Sequence, residues 1–348
     1  DDSLFIRTYL TGLLHGDPEI SIVATASTGN EAVALAHKLK PDVITMDFNM
    51  PGKNGIEATA EIMQGARPLP AIIMLSAFAG DGGEKARSQL EASGAHVIIK
   101  PSGEVSLDIE KVSAEIIRKI KEVGRIQIIM RQAFTVPPRE PLPAGLRQAR
   151  LDSPAGIVVI GASTGGPPLV EHLLSLFEPD QGLSFVIVQH MSSYFTELFA
   201  ERLDRVTAFH VREAKNGDTL LPGTALVVPG GHMLTPFPRN VGVCVFNVEP
   251  VPTELHEVMI DVTMTNVAKC LKGEVVGVLL SGMGHDGAEG LRTITENGGL
   301  ALVQDPNTAT VSSMPNFALR TGGVKEMLAL EDIPARVNSY FGQRQMAK

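Results

Sequence analysis

Cysteine is scarce in this 348-residue chain: only Cys244 and Cys270 occur, and they form no C-x-x-C pair. That usage speaks for a reducing compartment and against a zinc site, and the apolar neighbours of both thiols make them structural. No run of about 18 apolar residues is available to span a membrane, and no charged-then-apolar leader of the secretory kind opens the chain. Basic charge is in deficit as well. With 39 acidic against 30 basic side chains the net charge is −9, which leaves no electrostatic footprint for nucleic acid. A repeat of the solenoid kind is also missing. What the chain does have is length and 44% hydrophobic content, enough for packed cores in two domains.

The organising stretch is Gly156-Ile-Val-Val-Ile-Gly161-Ala-Ser163-Thr-Gly-Gly166-Pro-Pro. It reads as a strand, a sharp turn and a helix opening near Pro167, since Pro suits the first helical turn. Gly161 to Gly165 satisfies G-x-S-x-G, in which the turn lifts a nucleophilic serine above the sheet edge. The same glycines could instead cradle the pyrophosphate of a dinucleotide. The next strand, from Leu183, discriminates: it ends in Gln189-His190 where a dinucleotide site wants a ribose-binding acid. Parallel strands present their carboxyl ends at one crevice, so Ser163 and His190 should emerge side by side, as a nucleophile and its base must. The run from Val275 to Gly287 brings Asp286 to the same edge as the acid of a triad. Backbone N–H groups around Thr164, Gly165 and Met283 are the candidate oxyanion hole. His285 is a rival base that would need an acid such as Asp261, while His232 and His256 read as loop or substrate-side residues.

The first half opens abruptly on Asp1-Asp2-Ser3 and then alternates helix and strand. A helix to about Leu14, a strand from Ile20 to Ala26, a helix from Gly29 to Lys40 and a strand ending in Asp47 are expected. Further strands follow at Ala71 to Ser76 and Ala95 to Lys100, with no hairpin signal, so the pattern is a doubly wound parallel sheet. Asp1, Asp2, Asp47, Ser76 and Lys100 fall at one edge. Clustered carboxylates suit a hard divalent cation, most simply Mg²⁺, a lysine opposite suits a phosphoryl group, and Asp47 suits its acceptor. Apolar positions at Ile109, Val112, Ile116, Ile117 and Ile120 predict a helix between Glu104 and Ile129 that runs on into the connection. The Pro-rich stretch from Val136 reads as a semi-rigid linker.

The opening Asp-Asp-Ser, the Pro-Asp-Val-Ile-Thr-Met-Asp-Phe-Asn-Met-Pro-Gly stretch and the Lys-Pro step resemble the receiver domain of bacterial two-component response regulators. The resemblance implies a flavodoxin-like fold, Mg²⁺ binding by Asp1, Asp2 and Asp47, phosphorylation of Asp47 and switching through Ser76 and Lys100. Receivers carry a buried strand ahead of the acidic pair, so the chain as given is expected to be short of that strand, with its switch impaired. Val97 stands where many relatives carry an aromatic residue, which asks for another readout of activation.

The second half resembles the catalytic domain of the chemotaxis protein-glutamate methylesterase family, CheB, on the motifs Gly-Ala-Ser163-Thr-Gly-Gly, Gln189-His190-Met191 and Ser281-Gly-Met283-Gly-His-Asp286-Gly. The resemblance implies a receiver over residues 1–123, a linker over 124–154 and a Rossmann-like methylesterase domain over 155–348. It further implies cytoplasmic hydrolysis of glutamate methyl esters on chemoreceptors, with glutamine deamidation beside it, and a chemotaxis histidine kinase whose phosphorylation of the receiver lifts its block on the site. Ser163, His190 and Asp286 are then the triad, Thr164 and Met283 the oxyanion hole, and this half needs no cofactor. Where relatives commonly read His-Arg-Pro-Ser-x-Asp, the chain has His256-Glu-Val-Met-Ile-Asp261. A receiver-controlled esterase of another target protein, or a phosphorylation-driven binding module, are the alternatives; a binding module has no need of all three triad residues.

Overall fold

Short polar side chains set where the first helices begin. Ser3, Thr28 and Asn54 each accept a backbone N–H of the helix they open: α1 (Leu4–His15), α2 (Gly29–Leu39) and α3 (Gly55–Met63). In this computed structural model residues 1–65, 69–76, 96–99, 108–133, 154–239, 243–252, 258–321, 323–324 and 326–346 are described. Contacts divide the chain into two compact units, Asp1–Gln132 and Ala133–Lys348.

In the first unit β1 (Val43–Asp47), β2 (Ala71–Ser76) and β3 (His96–Ile99) pair in parallel in that order. Met46, Ala58, Ile62, Ile72 and Met74 form the core between sheet and helices. The expected strand at Ile20–Ala26 does not form. Among the described residues no ladder pairs that segment, and it shares with β1 the lining of a cavity of about 610 Å³. The helix α4 (Asp108–Ala133) runs unbroken past residue 124, so 124–133, expected in the connection, are helical. Buried Val123 and Gln127 explain this: the Gln127 amide bonds the Leu69 carbonyl, tying that turn to the first unit. The connection between the Ala71–Ser76 and Ala95–Lys100 strands and the Pro-rich linker lie outside the described residues.

The second unit is built on β4 (Gly156–Ala162), α5 (Gly166–Ser175), β5 (Leu183–Gln189), α6 (Ser193–Val206), β6 (His210–Glu213), β7 (Asp218–Thr219), β8 (Thr224–Val227), β9 (His232–Arg239), β10 (Val243–Pro250), α7 (Met259–Leu271), β11 (Val275–Leu279), α8 (Ala288–Glu296), β12 (Leu300–Gln304), α9 (Ser313–Arg320), β13 (Glu326–Leu328) and α10 (Ile333–Met346). Seven strands make an all-parallel sheet in the order β13-β12-β11-β4-β5-β8-β6. Every residue of β4, β5 and β11 is buried, which is why these strands are continuous apolar runs without polar alternation. The chain leaves β4 for β5 on one side and returns to β11 on the other, so the order reverses at β4. The crevice of such a sheet opens at the carboxyl ends of its strands there.

A three-stranded antiparallel sheet, β7-β10-β9, accompanies it. Strand β9 is not legible from the sequence because it contains Pro236 and Pro238. Both lie two residues apart, so their missing N–H groups fall on one side of the strand, and β9 is an edge strand.

Candidate active site

Register places the serine. Ala162 pairs with Gln189 across β4 and β5, and Gly161 pairs with Leu279 across β4 and β11. Ser163, His190 and the 281–286 loop therefore leave three neighbouring strands at the same edge. The ladder continues one step: His190 N–H bonds the Ala162 carbonyl at 3.0 Å, and Ser163 N–H bonds that of Ser281 at 3.0 Å. Gly165 then turns the chain at φ 77 and ψ 0, a left-handed conformation suited to glycine, and Pro167 and Pro168 open α5. Ser163 is almost buried. Gly282 abuts it, since a Cβ there would lie 2.8 Å from the Ser163 Cβ.

His190 and Asp286 are joined, Nε2 to Oδ2, at 2.7 Å. That contact leaves Nδ1 as the ring nitrogen able to take a proton. Among the described residues no hydrogen bond runs from the Ser163 hydroxyl to His190, a contact that commonly closes only when substrate binds. Asp286 is 2% exposed. Its carboxylate also accepts the N–H groups of Ile260 at 2.9 Å and Asp261 at 2.8 Å, so it caps the start of α7, whose own first residues supply no side-chain cap. Three donors hold it in place. The favour is returned: the Asp261 carboxylate accepts Gly290 N–H at 2.6 Å in the first turn of α8. Burial pushes the Asp261 carboxyl up to about 6, against the pull of that N–H, and the neighbouring Asp286 charge adds to the rise.

Several expectations resolve differently. His285 stacks on Phe317 with centroids 5.3 Å apart and is exposed, while Asp261 faces α8, so the rival His285–Asp261 pairing does not form. His232 shares its Nδ1 with the Gly230 carbonyl at 2.9 Å, and His256 lies outside the described residues. Met283 is 58% exposed and follows Gly282; Thr164 follows Ser163 directly. Met259, one of the residues that replace Arg-Pro-Ser, is buried in the core and presents nothing to a substrate. The sequence motifs placed Gln189 and Ser281 at this edge but gave neither of them a role. Gln189, 0% exposed, donates to the carbonyls of Ser163 at 2.8 Å and His190 at 3.3 Å, and the Ser281 hydroxyl donates to that of Thr164 at 2.8 Å. The signal for a role was their position, as polar residues ending apolar strands within those motifs.

In the first unit, carboxylate oxygens of Asp1, Asp2 and Asp47 lie within 4.8 Å of one another. Three carboxylates this close repel unless a cation sits among them, and an all-oxygen donor set suits Mg²⁺, so the residues fit that ion. Asp47 pairs with Leu75, which puts Ser76 one position beyond it on the adjacent strand. Val97 lies in β3 opposite Met74, and Lys100 falls outside the described residues.

A parallel sheet whose switch point carries a serine turn, a His–Asp pair and oriented backbone donors belongs to the hydrolases, here preceded by an α/β unit with an acidic edge. Comparison with known proteins narrows this. The CheB methylesterase family model matches residues 158–337 and the response regulator receiver domain model matches residues 1–110. The chain belongs to the CheB methylesterase family. It is 36% identical over 353 aligned positions to a protein-glutamate methylesterase/protein-glutamine glutaminase of Methanococcus maripaludis, covering 97% of this chain and 95% of that one. A protein of the same description from Symbiobacterium thermophilum is 34% identical, covering 99% of this chain and 96% of that one. The solved CheB methylesterase catalytic domain of Thermotoga maritima shares 30% identity at a TM-score of 0.50, over 53% of this chain and 97% of that one.

Proposed function

We propose that this chain is a phosphorylation-controlled serine hydrolase that removes methyl groups from glutamate methyl esters on chemoreceptors. The observation that carries the reading is the 2.7 Å His190–Asp286 contact at the strand edge from which Ser163 also emerges. Ser163 Oγ attacks the ester carbonyl carbon while His190 takes its proton, and Asp286 holds the imidazole and offsets its positive charge. The tetrahedral oxyanion is received by backbone N–H groups of Thr164 and Met283. Its collapse breaks the bond to the methoxy oxygen, and His190 returns the proton so that methanol leaves. Water, deprotonated by His190, then attacks the acyl-serine; glutamate departs and Ser163 regains its proton. The same cycle on a glutamine side chain releases ammonia, the second activity in the relatives' printed names.

Control is assigned to the first unit. Asp47 is the carboxylate that accepts the phosphoryl group from a chemotaxis histidine kinase, with Ser76 and Lys100 responding to it. Mg²⁺, when bound by Asp1, Asp2 and Asp47, supplies charge neutralisation for that group. Among the described residues no helix is long and apolar enough to cross a membrane, and the reading places the enzyme in the cytoplasm, at the receptors' cytoplasmic portions.

The test is methanol release from methylated receptor membranes by the full chain and by Ser163→Ala, each with Mg²⁺ and with or without a small phosphodonor. Release that disappears in the variant and rises with phosphodonor is expected. Release by folded Ser163→Ala equal to the parent's would overturn the assignment.

A further inference from the structure

Two buried side chains grip the backbone of the serine turn from opposite sides, and neither takes part in the reaction as described. From β5, the Gln189 amide donates to the Ser163 carbonyl at 2.8 Å, which also accepts Gly166 N–H at 2.8 Å. Both lone-pair positions of that oxygen are thereby filled. From the end of β11, the Ser281 hydroxyl donates to the Thr164 carbonyl at 2.8 Å and accepts Val311 N–H at 2.8 Å, while its own N–H is fixed by Gln304 Oε1 at 3.0 Å. The orientation of the Gln189 amide is settled by its neighbours: reversed, its oxygen would face two carbonyl oxygens. Space is reserved for it too, because a Cβ on Gly166 would come within 2.3 Å of Gln189 Oε1.

A trans peptide is a rigid plate whose C=O and N–H point in opposite directions. Whatever fixes the Ser163 carbonyl therefore also fixes the Thr164 N–H, and whatever fixes the Thr164 carbonyl fixes the Gly165 N–H. Gln189 is 0% exposed, so the Ser163 carbonyl is drawn inward and the Thr164 N–H is turned to the opposite side of the turn. Among the described residues no carbonyl accepts the N–H of Thr164 or of Gly165, so both donors are unspent.

We infer that Gln189 and Ser281 are positioning residues that preorganise the oxyanion donor Thr164 N–H, Gln189 by locking the peptide plane that carries it and Ser281 by holding the carbonyl at the other end of Thr164. The inference rests on the serine-nucleophile reading and deepens it. Among the described residues buried Gln189 Oε1 has no partner, a cost the site bears to keep Nε2 on both carbonyls. Preorganised donors lower the barrier because they are aimed before charge develops on the oxygen. Loosening them should thus act on kcat and leave ground-state binding in place.

The experiment uses the full chain, Gln189→Met, Ser281→Ala and Ser163→Ala, with a peptide carrying a glutamate γ-methyl ester and its thiono counterpart, in which sulfur replaces the carbonyl oxygen. Sulfur accepts hydrogen bonds poorly, so the oxygen-to-sulfur rate ratio reports how well the donors are aimed. Circular dichroism and thermal melts establish folding. Loss of a whole oxyanion donor costs about 10²–10³-fold in kcat, and a misaimed one should cost on the order of 10–10²-fold, with KM within about twofold and a falling oxygen-to-sulfur ratio. A folded Gln189→Met enzyme with parental kcat and ratio overturns the inference. If that variant does not fold, Ser281→Ala is judged by the same two numbers and decides it. Activity surviving in Ser163→Ala would instead remove the site reading itself, so the two failures are distinct.

Discussion

Asp261 and Asp286 occupy the starts of each other's helices, and the two carboxylates meet different demands. Asp286 keeps three donors on its oxygens, whereas Asp261 has Gly290 N–H to offset its burial and is raised from 3.8 to about 6. Between those values the folded chain binds a proton that the unfolded chain has released. Stability drawn from this group is therefore present below pH 4, declines as pH climbs toward 6 and is absent above it. Asp261→Asn keeps an oxygen for Gly290, removes the charge and offers Asp286 a donor in place of a like charge. Its melting temperature should exceed the parent's by a few degrees at pH 8, with the gap narrowing at pH 5. Calorimetry at the two pH values checks this, and a variant less stable than the parent at pH 8 would contradict it. None of this was legible beforehand: Asp261 entered as the possible partner of His285 and as the end of the His256–Asp261 stretch, because sequence spacing does not show which helix start a carboxylate will reach.

At the scale of elements, the parallel sheet and the edge at which Ser163, His190 and Asp286 emerge were legible, since fully buried strands leave apolar runs with punctuated ends. Two elements were not. The segment 20–26 has strand-like residues but joins no ladder among the described residues, and strand assignment depends on a neighbour that composition does not contain. Strand β9 hid behind its prolines, which an edge tolerates. Burial and polar clamps also differ in weight. Phe185 in β5 is fully buried and meets Phe177 and Phe209 edge-on at 5.0 and 4.8 Å. Phe185→Ala should cost about 3–5 kcal/mol, several times the roughly 1 kcal/mol of a single clamp bond. Urea unfolding should show that loss, while esterase turnover per folded molecule at low temperature stays near the parent's, because the strand ends that carry the site remain tied to β4 and β8. A comparable loss of turnover would mean that the core of β5 also sets the geometry of the site.

For the whole molecule, each of the two units carries one cluster, the Asp1, Asp2 and Asp47 carboxylates in the first and Ser163 beside the His190–Asp286 pair in the second, and the proposed function gives control to one and ester hydrolysis to the other. The net charge of −9 suits neither nucleic acid nor an anionic membrane surface as partner. Everything downstream depends on Ser163 being a nucleophile activated by the His190–Asp286 pair. The most direct measurement is the rate and site of covalent labelling by a fluorophosphonate in the intact chain, read by peptide mass mapping. The account predicts one label per chain, on Ser163, forming faster with Mg²⁺ and phosphodonor and far more slowly in Asp286→Asn. A folded chain that leaves Ser163 unlabelled, or one labelled equally fast in Asp286→Asn, would contradict it.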